Sequence, residues 1–158
     1  MANFTHFDSD GEAHMVNVSE KMVTTRRAIA CSEILMQQET LTMITDGTPK
    51  KGDVLAVARL AGIMGAKQTA TLIPLCHPLG LDHVTLTLDP DASLPGVRIT
   101  ASCAVSGRTG IEMEAMTAAS VAALTIYDMC KAIDRHMVIT NIRLIHKSGG
   151  SSGEFNAS

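Results

Sequence analysis

Aromatic residues are scarce in this sequence: Phe, Trp and Tyr make up 3% of the 158 residues, and Trp is absent. The interior must therefore be filled by smaller apolar side chains. Hydrophobic residues still account for 46% of the chain, and ten of them are Met, which is ordinary for a globular protein. A chain of this length can bury a core of its own. We therefore predict a single domain over residues 1–158.

Neither an excess of positive charge nor a long apolar run is present. The formal net charge is −3, so the sequence lacks the basic character typical of nucleic-acid binding. This net charge does not exclude a local basic pocket for a small anion. No apolar run approaches the ~20 residues of a membrane span, and no secretory signal opens the sequence. We predict a cytoplasmic protein that binds neither nucleic acid nor membrane.

The four cysteines are widely spaced and form no metal-binding pattern. No C-x-x-C pair occurs, and none of the four stands near a His in a zinc-finger arrangement. This predicts reduced thiols and no metal site. Cys103 and Cys130 suit buried apolar positions. Cys76, which precedes His77, could instead be a thiolate nucleophile, although neighbours in an extended segment point to opposite sides.

The order of predicted elements indicates the fold class. Residues 1–20 are predicted to be a flexible arm and residues 148–158 a flexible Gly/Ser-rich tail. Between them, periodicity and composition predict a strand over 21–31, helices over 37–46 and 53–72, strands over 82–88 and 97–105, a helix within 107–135 and a strand over 137–145. This order is typical of an α+β ferredoxin-like split βαβ sandwich, an antiparallel sheet with helices on one face. Apolar residues on the other face would require an oligomer.

Residues 107–135 carry the most informative pattern. A short alternation over 111–114 is followed by an alanine-rich helical run. On a helical wheel the apolar residues form one stripe: Ala115, Ala118, Ala119, Ala122, Ala123, Ile126, Met129, Cys130 and Ile133. Asp128 and Lys131 lie away from this stripe and, three residues apart, can pair. Taken alone, such a pair is more often a solvated surface pair of little energetic weight.

Three other polar residues have both an ordinary and a functional interpretation. His77 lies in a segment that prolines at positions 74 and 78 make stiff, which suits a poised side chain. A lone His is nevertheless more often a hydrogen-bonded structural residue. Glu112 and Glu114 fall on one side of the alternation, as the solvated face of a strand would, or as acceptors for a ligand.

Two lysines lie next to glycines. Lys51 belongs to the turn over 47–52, and Lys147 precedes the Gly/Ser-rich tail. Each on its own is more often a solvated lysine. The turn is not a P-loop, because Asp53 follows it where Lys-Ser or Lys-Thr would be needed. The tail could offer backbone N–H groups to a phosphate.

Five motifs carry a resemblance over nearly the whole chain, from about Gly11 to Gly153. In chain order they are Lys51–Val54, Ile73–Leu79, Thr109–Ala115 with Thr117–Ser120, Tyr127–Ala132 and Lys147–Gly150. Together they resemble the cyclic pyranopterin monophosphate synthase family of molybdenum cofactor biosynthesis. The motifs are long and occur in the family's order.

The resemblance implies a function and a set of site residues. The family converts 3′,8-cyclo-7,8-dihydroguanosine 5′-triphosphate into cyclic pyranopterin monophosphate and pyrophosphate, as a lyase. It implies a ferredoxin-like fold and a homohexamer, a trimer of dimers with sites at the dimer interface. By this resemblance Asp128 and Lys131 match the catalytic pair. The substrate-binding positions match Leu75, Cys76, His77, Met113, Glu114, Glu112, Lys51, Lys67, Lys147, Lys21 and Arg26. Asn17 departs from the Asp that the family commonly has.

The residue chemistry suits the implied reaction. Lysines and an arginine can neutralise a triphosphate, and Asp128, Lys131 and His77 can move protons on ring nitrogens. A lysine near other cations has a lowered pKa, which would suit Lys131 to act near neutral pH. Phosphoryl transfer needs charge neutralisation more than covalent chemistry. We therefore expect no required cofactor, and Mg²⁺ only as a companion of the triphosphate.

Two alternatives to this interpretation of the sequence remain. The first is a non-enzymatic oligomeric regulator that binds an anionic nucleotide. The second is a thiol hydrolase that uses Cys76 and His77. Turnover of the cyclised nucleotide distinguishes the first, and the activity of Cys76→Ser distinguishes the second.

Overall fold

A computed structural model describes residues 4–47 and 52–158 of the chain. Its elements are, in chain order, β1 (Thr24–Leu35), α1 (Gln38–Thr45), α2 (Val54–Lys67), α3 (Thr69–Leu72), β2 (His83–Asp91), β3 (Gly96–Gly107), α4 (Glu112–Cys130), β4 (Val138–Ser148) and β5 (Phe155–Asn156). The predicted order of strands and helices is confirmed. The predicted turn that contains Lys51 lies largely outside the described residues.

The five strands form one antiparallel sheet in the order β2-β3-β1-β4-β5. The helices between β1 and β2 bring these two strands parallel and one strand apart, and β3 fills the gap, antiparallel to both. That is the split βαβ connection. Helix α4 packs on β1, β3 and β4, and α2 packs on β2 and α4. The predicted ferredoxin-like α+β sandwich is therefore confirmed.

The core lies between the sheet and these helices. On β1 every second residue from Ala28 to Ile34 is buried, and Ser32 among them donates its hydroxyl to the carbonyl oxygen of Ala119 at 2.9 Å. The inner side of α4 is the predicted small-residue stripe: Ala115, Ala118, Ala119, Ala122, Ala123, Ile126 and Cys130 are buried. Met129 and Ile133, which the wheel also placed there, are exposed; Ile133 lies beyond the end of the helix at Cys130.

Two glycines let α2 approach α4 closely. A Cβ on Gly62 would overlap the Leu86 side chain and lie 2.9 Å from the carbonyl oxygen of Ala118, and one on Gly65 would lie 2.9 Å from the Val121 side chain. Small residues on both helices thus remove the volume that normally separates helix axes. The opposite side of α2 is apolar and exposed at Val57, Leu60 and Met64.

Several predicted boundaries were wrong. The alternation over 111–114 is not extended: α4 begins at Glu112, where carboxylates in the first turn interact favourably with the helix dipole. The predicted helix over 53–72 is divided at Gln68, whose φ of −102° and ψ of 5° end α2 before α3. Asp53 caps α2 as predicted, accepting from the Ala56 N–H at 2.9 Å.

The far face of the sheet and the tail also differ from expectation. The face without helices carries mainly polar or charged side chains on β1, β2 and β3, among them Arg27, Glu33, Thr87 and Arg98, so its apolar character was overestimated. The tail, predicted without regular structure, contains β5, which pairs with β4 through His146↔Asn156 and Lys147↔Phe155.

Candidate active site

A cavity of about 680 Å³ lies at the end of the sheet where α4 begins. Its walls come from the N-terminal arm, the start of β1, the 73–79 segment, residues 108–114 and residues 147–152. These segments are distant in sequence and meet because β1, β3 and β4 are neighbours. The cavity brings together nine of the predicted site residues: Lys21, Arg26, Leu75, Cys76, His77, Glu112, Met113, Glu114 and Lys147.

Three other predicted site residues, all within the described part of the chain, do not line this cavity. Asp128 and Lys131 lie at the opposite end of α4, where Asp128 is about 24 Å from Glu112 along the helix axis at 1.5 Å per residue. Lys67 is exposed at the end of α2. Lys51 lies outside the described residues. One protomer therefore holds two groups of predicted site residues far apart.

Two cations on the cavity wall are held by defined partners. Lys147 Nζ lies 3.4 Å from Glu112 Oε1 and donates to Ser152 Oγ at 2.6 Å. Arg26 donates from Nε to the Gly107 carbonyl at 3.0 Å and from Nη2 to the Arg108 carbonyl at 3.1 Å. Both are therefore presented in fixed positions, as recognition of an anion requires.

Glycines in the tail make room for the Arg26 guanidinium. Gly149 and Gly150 have φ values of 90° and 77°, which glycine adopts without strain. A Cβ on Gly150 would overlap the guanidinium, and one on Gly149 would overlap the Thr25 carbonyl oxygen. The predicted tail is thus part of the cavity wall in the structure.

Glu114 is a buried acid in the cavity wall, with 4% of its surface exposed. Burial raises its pKa, and the nearby negative charge of Glu112 raises it further, while its own backbone N–H acts in the opposite direction. The helical start of α4 explains the burial, because Glu114 lies one turn before Ala118 on the inner face. A buried carboxyl with a raised pKa in a cavity wall is a candidate for proton exchange with a ligand.

The thiols near Glu114 are held in the protonated form. Burial, followed by the charge of Glu114, raises the pKa of Cys76, and the same two causes raise that of Cys103 to about 12. A nucleophilic cysteine needs the opposite shift. The structure therefore argues against Cys76 as the nucleophile of a thiol hydrolase.

His77 joins the 73–79 segment to the N-terminal arm. Its Nε2 lies 2.8 Å from the Val16 carbonyl oxygen, and because a carbonyl only accepts, Nε2 is the protonated nitrogen in this contact. Next along the arm, the side-chain oxygen of Asn17 accepts from the N–H and hydroxyl of Ser19 at 2.9 and 2.8 Å. At Asn17, where the sequence departs from the family, an amide oxygen therefore accepts the bonds of this local turn.

Asp128 and Lys131 form the predicted pair. Lys131 Nζ donates to Asp128 Oδ1 at 2.6 Å, and the side chains are 71% and 56% exposed for Asp128 and Lys131 respectively. The expectation of a lowered lysine pKa was wrong for this protomer: the hydrogen bond from Asp128 raises the pKa of Lys131. Lys131 is therefore an ammonium group held by its carboxylate.

Sequence reasoning missed some residues of the cavity wall. Arg108 donates from Nε to the Lys21 carbonyl at 3.0 Å and lines the cavity, as do Arg27 and Ser152. Arg108 follows the glycine that ends β3 and lies four residues before the acidic start of α4, and this position could have indicated it. Arg27 had no such signal, because only the tertiary structure brings it to the cavity.

Two kinds of feature are absent from the described residues. Within 4–47 and 52–158, no three His, Cys, Asp or Glu side chains are grouped as ligands of a metal ion. In the same part of the chain, no helix has both the length and the apolar character that crossing a membrane demands.

Comparison with known proteins places the chain in a family. Residues 15–150 match the MoaC family. Proteins named cyclic pyranopterin monophosphate synthase are similar over nearly their full length: one from Dinoroseobacter shibae is 65% identical over 157 residues, 99% of each chain. One from Jannaschia sp. is 62% identical over 99% of this chain and 96% of its own. One from Cereibacter sphaeroides is 60% identical over 100% of this chain and 99% of its own. The resemblance carried by the sequence motifs is confirmed, and the chain belongs to the MoaC family.

Proposed function

We propose that the protein is an enzyme of molybdenum cofactor biosynthesis, a cyclic pyranopterin monophosphate synthase of the lyase class. It converts 3′,8-cyclo-7,8-dihydroguanosine 5′-triphosphate into cyclic pyranopterin monophosphate and releases pyrophosphate. One observation carries the proposal: a single cavity in a MoaC-family chain combines fixed cations with a buried acid.

The two sides of the cavity suit the two parts of this substrate. Lys147, Arg26 and Lys21 supply positive charge for the triphosphate, whose transfer to a ribose hydroxyl requires charge neutralisation. Glu112 and Glu114 are acceptors for the N–H edge of a guanine-like ring. Mg²⁺, where it takes part, enters with the triphosphate, and the protein itself supplies no resident cofactor in this proposal.

The separation of Asp128 and Lys131 from the cavity supports a site shared between two copies. The pair is exposed, and a second copy can bring its own pair to the cavity mouth. Exposed apolar residues on the outer side of the helices, at Val57, Leu60 and Met64 of α2 and Leu124 of α4, offer surface for contact between copies. We propose a homohexamer built as a trimer of dimers, with sites at the dimer interface.

Two further parts of the proposal concern location and the regulator alternative. Cys31, Cys76 and Cys103 are free thiols, which suits the reducing cytoplasm. A regulator would need to bind the nucleotide without altering it. The buried acid Glu114, with its raised pKa, favours proton transfer and hence the enzyme.

Incubation of the purified protein with the cyclised GTP intermediate tests the activity. The expected result is cyclic pyranopterin monophosphate and pyrophosphate in equal amounts. Unchanged intermediate under conditions where it binds would instead support the regulator.

Co-assembly of two impaired variants tests the shared site. Lys147→Ala damages the cavity, and Asp128→Asn damages the distant pair. If each site combines residues of two copies, random pairing of the two variants restores about a quarter of the sites, since half of the dimers are mixed and each has one intact site. No recovery in a mixed assembly that mass spectrometry verifies would contradict the shared site.

A further inference from the structure

The turn after α4, residues 131–136, is tied to a neighbouring element by a buried acid. Asp134 is 2% exposed. Its Oδ2 accepts from the Gln37 N–H at 2.8 Å and from Thr40 Oγ1 at 3.2 Å, and its Oδ1 accepts from the His136 N–H at 3.0 Å. A buried carboxylate with three donors is satisfied and fixed in place.

We propose that Asp134 is a positioning residue for the reaction described above, holding the turn that carries Lys131 and thereby the Asp128–Lys131 pair. The inference rests on the proposed function. Asp134 is itself too deeply buried to meet a substrate, so it would act through the pair.

The pair needs such support because its side chains are largely exposed. With 71% and 56% of their side-chain surfaces in solvent, Asp128 and Lys131 have little packing to define their positions. Their placement therefore depends on the backbone at the end of α4. Catalysis by positioned groups is sensitive to small displacements, and a misplacement of 1 Å can cost about 10²-fold in rate.

Local hydrogen bonds fold the turn back onto α4. The Lys131 N–H donates to the Tyr127 carbonyl at 2.8 Å, and the Asp134 N–H donates to the Cys130 carbonyl at 3.1 Å. The Tyr127 hydroxyl donates to the Arg135 carbonyl at 3.3 Å. These bonds shape the turn, and Asp134 adds the link to a different helix.

That link serves the start of α1. Gln37, the N-cap residue of α1, makes no side-chain capping bond, and its own N–H, which has no partner within the helix, donates to the Asp134 carboxylate. The Gln37 bond is the main reason that the pKa of Asp134 lies below its usual range, with the His136 and Thr40 contacts acting in the same direction. Asp134 thus holds the end of α4 against the beginning of α1.

Three variants of the full-length protein test the proposal. Asp134→Asn replaces an acceptor with an amide donor facing N–H groups, and Tyr127→Phe removes the bond to Arg135. Ser32→Ala is the matched control, because it removes a buried hydrogen bond to the middle of α4. The measurements are kcat and KM per folded molecule, melting temperature and oligomeric state.

The expected result is a selective effect on kcat. Asp134→Asn should lower kcat by about 10- to 100-fold with KM changed less than about threefold, because the cavity is distant. Tyr127→Phe should lower kcat in the same direction by less, and Ser32→Ala should reduce the melting temperature without reducing kcat. A folded, assembled Asp134→Asn protein with normal kcat overturns the proposal, as does an equal loss of kcat in Ser32→Ala.

The proposal can still be tested if Asp134→Asn does not fold or if the wild-type protein is inactive. If Asp134→Asn fails to fold, Tyr127→Phe decides, and its unchanged kcat overturns the proposal. If the wild-type protein makes no product, the proposed function fails, and hydrogen exchange of the amides in 131–136 then tests the positioning directly. Faster exchange there in Asp134→Asn or Tyr127→Phe supports the link to the pair, and unchanged exchange refutes it.

Discussion

The ammonium group of Lys147 lies 3.4 Å from the carboxylate of Glu112, with 23% and 30% of the two side chains exposed. This contact joins the end of β4 to the first turn of α4 across the cavity wall. Because both groups remain partly accessible, an arriving phosphate can compete with Glu112 for Lys147. The contact therefore fixes the position of the Lys147 ammonium group and leaves part of it accessible to a ligand.

Lys147→Ala should weaken transition-state binding by about 1.5–3 kcal/mol in kcat/KM, the range of a hydrogen bond to a charged group. Its kcat/KM should also depend less on ionic strength, since one attraction to the triphosphate is lost. Steady-state kinetics at several salt concentrations measure both effects. Arg143→Ala is the matched control, because Arg143 is exposed on the same strand away from the cavity. Equal losses in both variants would show that Lys147 acts only through the overall positive charge of the protein and makes no specific contact with the substrate.

Asp128→Asn and Lys131→Ala should each lower kcat by about 10²–10⁴-fold, the usual contribution of a positioned proton donor or acceptor. The melting temperature should change little, because both side chains are largely exposed. The double variant should be scarcely slower than either single one if the two act as a unit. Turnover and thermal unfolding measured on the same samples decide the matter. Normal turnover in both single variants would show that Asp128 and Lys131 form an ordinary surface ion pair without a catalytic role.

Glu114→Gln should stabilise the fold increasingly as the pH rises above 4.5, the ordinary pKa of this carboxyl. Burial raises the native-state pKa, so between the unfolded and native values the native state binds more protons, and wild-type stability falls with rising pH. The gain should level off above the native pKa. Thermal unfolding from pH 4 to 8 measures it, with Glu39→Gln on α1 as the control for loss of one negative charge. Parallel curves for the two variants would show that the burial of Glu114 is not the cause.

Gly62→Ala should destabilise the protein, because overpacking usually costs about 1–3 kcal/mol. The added Cβ would overlap Leu86 and press on the Ala118 carbonyl oxygen, and a contact with backbone cannot be relieved by a change of rotamer, so we expect the cost of overpacking to exceed the gain in helix propensity of about 1 kcal/mol. Denaturant unfolding measures the change. Gly80→Ala is the control, since a Cβ there meets nothing within 4 Å. A Gly62→Ala protein as stable as wild type would mean that α2 can move away from α4 freely.

Much of the fold followed from local pattern. The alanines of α4 repeat at helical spacing, and burying that stripe on a sheet is the way such a helix excludes its apolar face from water. The alternating strands and the order of elements then left few arrangements other than split βαβ. The motifs around Asp128, His77 and Lys147 were contiguous in the chain, so they identified the family without coordinates.

The tertiary structure decided what depends on contacts between distant segments. Glu112 and Glu114 alternate in sequence, but their burial depends on whether the chain there is strand or helix, and the helix takes Glu114 inward beside Ala118. Arg27 and Arg108 reach the cavity because β1 pairs with β3. Asp134 offered no signal in the sequence, since its role arises from the Gln37 N–H nearly a hundred positions away. Short-range pattern encodes secondary structure, whereas burial, hydrogen-bond partners and pKa shifts are set by which segments the fold brings into contact.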